Sequence, residues 1–218
     1  MVDGRGKING SVASKNRAGA YVRTKVTPVN PNTSYQQTAR FTLTQLSQAW
    51  RSLTEAQRLA WNAAVSDFQT TDIFGDLRKP TGKNLFTRLN INLTNAGQSI
   101  ISTPPLPSQV EGCGLTSLTI SVGTPTYEVA TVGGAAGITM LVFASPGLSA
   151  GVSFVKSELR LIGTFAANAS SPVDIEADYL AKFGAPAVGT KVFVEVIPVN
   201  NATGQAGTRS QVSAIVAA

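Results

Sequence analysis

The hydrophobic period of this chain changes along its length, and that change limits what it can fold into more than any other feature. From residue 33 to about residue 97 apolar side chains recur at every third or fourth position, and beyond residue 107 at every second. The first spacing lines up one stripe of a helix, the second one face of a strand. No single class of element satisfies both, so an α+β chain is expected, with a helical part followed by a sheet part. Ser102-Thr103-Pro104-Pro105-Leu106-Pro107 stands between them. Its prolines can neither continue a helix nor occupy a central strand, and they favour an extended connection. Residues 103–107 are therefore read as a linker between a helical module, residues 33–102, and a sheet domain, residues 108–218.

In the helical part Ala39, Leu43, Leu46, Trp50 and Leu53 follow at steps of four, three, four and three, which predicts a helix over residues 33–52. Thr54-Glu55-Ala56-Gln57 is a capping box, in which the Thr54 hydroxyl accepts the Gln57 amide while the Gln57 side chain reaches back. A second helix is expected to start at Glu55, with Trp61, Ala64, Val65 and Phe68 on its apolar face and Trp50 and Trp61 packed between the two helices. Leu85, Phe86, Leu89 and Leu93 outline a third helix ending near Gly97. The predicted core is Leu43, Leu46, Trp50, Leu53, Trp61, Val65, Phe68, Phe86 and Leu89. Three short helices without a disulfide or metal make a thin core, so an assembly partner is expected.

Beyond the linker Leu118, Ile120 and Val122 alternate with polar residues, and residues 138–144 form a continuous apolar run. Further strands are predicted over residues 154–165, 173–175, 191–199 and 211–216, separated by turn formers such as Gly133-Gly134 and Ser171-Pro172. About seven short strands in roughly 110 residues is the pattern of an antiparallel β-sandwich.

Residues 1–32 are too polar to form a core and read as an extended arm. Residues 1–100 carry 13 Lys and Arg against 5 Asp and Glu, net +8, whereas residues 101–218 carry 5 against 7, net −2. The two halves therefore face different partners. The arm is either a disordered tail or a segment that orders on a neighbouring subunit, adding residues 21–26 as a strand. Its candidate attachment residues are Arg5, Lys7, Lys15, Arg17, Tyr21, Arg23 and Lys25.

The chain has no histidine and one cysteine, Cys113. Imidazole acid–base chemistry, His-containing metal sites and an intramolecular disulfide are thereby excluded. Without a His partner Cys113 has no activator and reads as an inert small residue. Lys79-Pro80-Thr81-Gly82-Lys83-Asn84 departs from a phosphate loop, since its first glycine is misplaced and Asn84 stands where a magnesium-binding hydroxyl belongs. Asp174, Glu176 and Asp178 alternate as though on a strand or its following turn; a hard cation is conceivable there, but solvated charges are the expected reading. Tyr127 and Tyr179 are the candidate aromatics for ligand-binding loops. Five Asn-x-Ser/Thr triplets, at Asn9, Asn32, Asn92, Asn168 and Asn201, are not taken as glycosylated, because residues 1–15 lack the apolar core of a signal peptide. No apolar run is long enough for a membrane span. Charged residues make up 14% of the chain, against roughly 25% in soluble domains, which suits extracellular β-domains and particle proteins. The expectation is a non-enzymatic protein without cofactor or metal.

Two resemblances accompany these readings. Lys7-Ile8-Asn9-Gly10-Ser11-Val12, Tyr21-Val22-Arg23, Gln36-Gln37-Thr38-Ala39-Arg40-Phe41, Trp50-Arg51-Ser52-Leu53-Thr54, Gln57-Arg58-Leu59-Ala60-Trp61 and Asn84-Leu85-Phe86 through Asn90 resemble, in order, a set of uncharacterised proteins of tailed bacteriophages and prophages, over about residues 5–97. Val192 to Pro198, followed by Val199-Asn200-Asn201-Ala202-Thr203-Gly204-Gln205-Ala206-Gly207, resembles the ending of a fibronectin type III-like module; the early-strand tryptophan of such modules is missing, which leaves immunoglobulin-like and other sandwiches open. The resemblances imply a virion structural protein, a head decoration or auxiliary protein or a neck–tail accessory, made in the host cytoplasm. Its partners would be capsid, portal, neck or tail proteins and further copies of itself, with the arm and helices as anchor and the sandwich projecting. Two other readings stand beside this one: a surface-adhesion module that binds carbohydrate or a receptor, and a packaging protein that binds nucleic acid through its basic half. The cations are diluted among Gly, Asn and Ser, and no nucleic-acid motif occurs, so neither nucleic acid nor membrane is an expected partner.

Overall fold

The fold is described from a computed structural model for residues 6–16, 19–27, 29–71, 75–111 and 114–218. It is a mixed α+β chain in two compact units, one up to Arg40 and one from Phe41 to Ala218. In the first, β1 (Gly6–Ile8), β2 (Ser11–Asn16) and β3 (Gly19–Thr24) form an antiparallel sheet in that order. Ile8 pairs with Ser11 across the two-residue turn Asn9-Gly10, and Asn9 has a left-handed φ of 49°. Asn-Gly is the pair that such a tight hairpin turn favours. Residues 19–24 thus pair with their own chain, where either a disordered tail or a strand of residues 21–26 added to a neighbouring subunit was expected.

Helix α1 (Ser34–Ser52) ends one residue before Leu53, and α2 (Glu55–Ala64) begins at the capping box. Gln57 N donates to Thr54 Oγ1 at 3.3 Å, and Thr54 N donates to Gln57 Oε1 at 2.9 Å. α2 stops at Ala64, and Val65–Phe68 is a turn of 3₁₀ helix, so the predicted apolar face continues in a tighter winding. The two-residue strands β4 (Thr70–Thr71) and β5 (Leu77–Arg78) pair before α3 (Gly82–Asn95). Thr81 Oγ1 accepts the Asn84 amide at 3.2 Å, so the segment compared with a phosphate loop is an ordinary helix N-cap.

Phe86 organises the helical core. Its ring lies 5.4 Å from Trp50, and 5.4 Å from Trp61 at an interplanar angle of 89°. The two indoles therefore flank a side chain of α3 and are not a pair confined between α1 and α2. Leu46, Leu53, Trp61, Leu85, Phe86 and Leu89 are buried, with Trp50, Val65 and Phe68 half-buried against them. Leu43, predicted in this core, is 50% exposed. It continues the same stripe one turn beyond the part that α2 and α3 cover.

The C-terminal part contains β6 (Gly114–Ser121), β7 (Thr126–Val132), β8 (Ile138–Ala144), β9 (Arg160–Ala166), β10 (Val173–Asp174), helix α4 (Glu176–Phe183), β11 (Lys191–Asn200) and β12 (Ser210–Ile215). They form two antiparallel sheets, β10-β7-β6 and β12-β11-β8-β9. One core joins them: Leu118, Ile120, Tyr127 and Val129 from the first sheet, Met140, Val142, Val192, Val194 and Val196 from the second, and Ile175 and Tyr179 from around α4. β12 runs on to meet β6, where Ala217 N donates to Ile120 O at 2.9 Å and Val122 N to Ala217 O at 3.2 Å. α4 packs against β7 and β9. The second sheet is also covered outside, where Leu141 and Val199 pack with Ala96 at the end of α3. Burial on both faces explains the continuous apolar run of β8, which alternation would not produce.

Several expectations change here. The strand predicted over residues 154–165 begins only at Arg160. Glu176 and Asp178 lie in the first turn of α4, where carboxylates favour the helix dipole, and not on a strand. Tyr127 and Tyr179, taken as loop aromatics, are 2% and 0% exposed, with ring centroids 5.4 Å apart. Tyr179 Oη donates to Ser145 O at 3.1 Å.

The helices are tied to the sheets at the β11–β12 turn. Asn92 Nδ2 donates to Gly204 O at 2.8 Å. Gln205 bridges the connection, its Nε2 donating to Leu106 O at 2.7 Å and its Oε1 accepting Ser108 N at 2.9 Å. Upstream, buried Asn90 accepts Ile101 N at 2.7 Å, and Trp61 Nε1 donates to Ser102 O at 2.8 Å. The Pro-rich connection is extended, as its composition requires, but side chains hold it on both flanks.

Two predictions follow from these contacts. Gly204 has φ +69°, and a Cβ there would overlap the Leu89 carbonyl oxygen, whereas Gly137, at φ +79°, faces open space. Gly204→Ala should lower the free energy of unfolding by roughly 2–5 kcal/mol and Gly137→Ala by about 1 kcal/mol, read from urea midpoints; equal losses would show that α3 does not press on the turn. Burial, then the neighbouring Tyr127, pushes the Tyr179 phenol up from 10.0 to about 12, and burial, then the Glu176 charge, raises that of Tyr127. A raised phenol pKa favours the folded state up to the unfolded value and is lost as pH rises through the folded one. The Tm should therefore fall between about pH 10 and 12, and Tyr179→Phe should flatten that fall, measured by near-ultraviolet circular dichroism.

Candidate attachment surface

The β1-β2-β3 sheet has a complete hydrogen-bond ladder, yet none of its described side chains is buried. Three strands without a covered face are marginal in water. The register shows what each face offers. Lys7, Val12 and Arg23 are directly opposite one another across the three strands, and Ser14 is opposite Tyr21 on the same face. Alternation puts Ile8, Ala13 and Val22, together with Lys15, on the other face.

The first face is cationic. Lys7, Arg23 and Lys25 line a concavity of about 350 Å³ with Val12, Val26 and Thr27. Lys25 follows β3, and its amide donates to Gly10 O at 2.7 Å, which turns the chain across the sheet. No described carboxylate pairs with Lys7, Arg23 or Lys25. The second face is apolar and open, with Ile8 71% and Val22 70% exposed. The sheet therefore carries opposite chemistry on its two sides.

Of the predicted attachment residues, the structure brings Lys7, Tyr21 and Arg23 to one face with Lys25 beside them, and sends Lys15 to the other. Arg5 and Arg17 lie outside the described residues, as does Cys113. Asn9-Gly10 was the available signal for the hairpin that creates these faces. On α1, Arg40 donates to Asn30 Oδ1 at 3.0 Å and to Asn32 Oδ1 at 3.3 Å, which ties the preceding segment to the helix. Tyr35, Phe41 and Leu43 remain between 46% and 62% exposed.

Asp174 Oδ1 accepts the Glu176 amide at 2.8 Å, so this carboxylate supports the start of α4. Among the described residues no group of three or more Asp, Glu, Cys or His is arranged to hold a metal ion, and no helix is long and apolar enough to cross a membrane. Comparison with protein-family models, with curated proteins and with solved structures finds no match to this chain.

The exposure difference along α1 sets a test. Leu46 is 2% exposed and Leu43 50%. Leu46→Ala should cost about 2–4 kcal/mol and Leu43→Ala under about 1 kcal/mol in denaturant unfolding of the isolated chain. A Leu43 cost as large as that of Leu46 would mean that the first turns of α1 are already covered.

Proposed function

We propose that this chain is a non-enzymatic structural component of a bacteriophage virion, a decoration or neck–tail accessory protein attached through its N-terminal sheet and the first turns of α1. The observation that carries the reading is the β1-β2-β3 sheet, whose strands pair continuously yet leave a cationic and an apolar face open. A sheet of this kind gains most of its stability only when another surface covers it. Residues 41–218, by contrast, have extensive buried cores of their own. A small attachment element whose residues stay open until it docks suits a subunit added to a pre-existing particle. Many identical copies then hold firmly through individually weak contacts.

The two-sheet domain is read, within this proposal, as a fibronectin type III-like or immunoglobulin-like sandwich. Its seven strands divide three and four, with the first, second and fifth in one sheet and the third, fourth, sixth and seventh in the other. Antiparallel strands on both sides of one core support that reading. α4, placed between the fifth and sixth strands, is an addition to the simple sandwich.

The test is quantitative mass spectrometry of particles purified from cells producing the phage or prophage that carries this chain. The chain should co-purify at a fixed copy number, and the triple variant Lys7→Glu, Arg23→Glu, Lys25→Glu should fall about tenfold or more on particles while its near-ultraviolet tyrosine signal is unchanged. A chain abundant in the lysate and absent from purified particles would overturn the proposal.

A further inference from the structure

A second concave surface lies in the unit of residues 41–218, on the outer side of the β12-β11-β8-β9 sheet. The chain leaves β8 at Ala144 and returns at Arg160, and the intervening loop lies along β11. Leu148 and Lys191 exchange backbone hydrogen bonds of 2.9 and 2.7 Å. Val155 is the loop's anchor, 3% exposed, and its neighbour Phe154 is turned out to 78%. Between loop and strands runs a groove of about 280 Å³, lined by Phe154, Lys156, Leu159, Glu195, Arg209 and Gln211 among others.

Glu195 defines the chemistry of this groove. It sits on the central strand β11, 8% exposed. Arg209 Nη1 donates to its Oε1 at 2.8 Å. Its Oε2 receives no hydrogen bond from any described residue. The Glu195 side chain keeps 11% of its surface open, so this second oxygen meets the solvent of the groove, where a donor that enters can replace water.

Charge narrows the class of that donor. Arg209 already balances Glu195, and Lys156 leaves the lining with one excess positive charge, so a cation is opposed. An anion would meet the Glu195 carboxylate. A neutral molecule with several hydroxyls satisfies both sides, donating to Glu195 Oε2 and accepting from the remaining Arg209 N–H groups and the Gln211 amide. Phe154 adds an exposed ring, a platform for a flat apolar face. A pyranose combines such a face, made of its axial C–H bonds, with a rim of hydroxyls. The volume, near the lower end of the roughly 300–1,000 Å³ of ligand pockets, has room for one ring.

We propose that this groove binds a single neutral hexopyranose unit of a glycan, with Phe154 as the stacking platform and Glu195 and Arg209 as the pair that reads its hydroxyls. The site stands on its own geometry and does not rest on the particle reading above.

The experiment titrates the full chain with methyl β-D-glucopyranoside, methyl β-D-galactopyranoside and methyl α-D-mannopyranoside, which sample both configurations at C4 and C2. The side-chain N–H signals of Arg209 and Gln211 are followed by nuclear magnetic resonance. At least one glycoside should give saturable shifts with a Kd of about 1–10 mM, ordinary for a ligand of this size. Phe154→Ala should weaken that binding about tenfold or more at unchanged Tm, and Phe154→Trp should retain or tighten it. Glu195→Gln should weaken it as well. The proposal is overturned if none of the three glycosides moves these signals at tens of millimolar, or if Phe154→Ala binds as tightly as the wild type.

Discussion

β8 and the second half of β11 are apolar on both faces, and covering their outer side is the constraint on which the rest of the second unit depends. The inner face is met by the other sheet. The outer face is met in part by the last turn of α3, where Ala96 packs with Leu141 and Val199. For α3 to lie there, the β11–β12 turn must come within touching distance of the Leu89 carbonyl, which leaves no space for a side chain at residue 204. The hydrogen bonds of Asn92 and Gln205 then fix the approach. The helices are in this sense the missing layer of the sheet, and the Pro-rich segment is the strap that lets the chain cross between layers.

How much of this could be read from the sequence depended on how local the cause was. The capping box at Thr54 and the start of α2 were legible because the interacting atoms are three residues apart. The run at residues 138–144 was legible as a buried strand because both its faces are covered. β7 was not, because only Tyr127 and Val129 of its seven residues are fully buried, too short an alternation to mark a strand although Gly133-Gly134 follows it. α4 was missed because eight residues are barely two helical turns, and its Glu176 and Asp178, following Asp174 of β10, imitate a strand's alternation. Leu43 obeys the same period as Leu46. Period reports which stripe of a helix is apolar, not how far along it a partner extends.

The attachment surface was legible in composition and not in geometry. A basic, polar arm could be listed residue by residue, but which cations share a face is set by strand register, which hung on the Asn9-Gly10 turn. A slip of one residue in β2 would have moved Lys15 to the face that carries Arg23. In the groove near Glu195 the converse holds. Phe154 looked like part of a strand, and only the burial of Val155 beside it shows that its ring faces outward.

Both tryptophans of the chain, Trp50 and Trp61, lie against Phe86, and the two-sheet part has none. Its buried aromatic pair is Tyr127 and Tyr179. Light emitted by indole therefore reports on the helices, while the tyrosine bands report on the sheets through the buried Tyr127–Tyr179 pair, over a constant contribution from the exposed Tyr21 and Tyr35. The molecule carries two built-in optical channels, one on each side of the strap. Whether they change together or in sequence on heating is a direct reading of how tightly the contact at Gly204 couples two cores into one cooperative body.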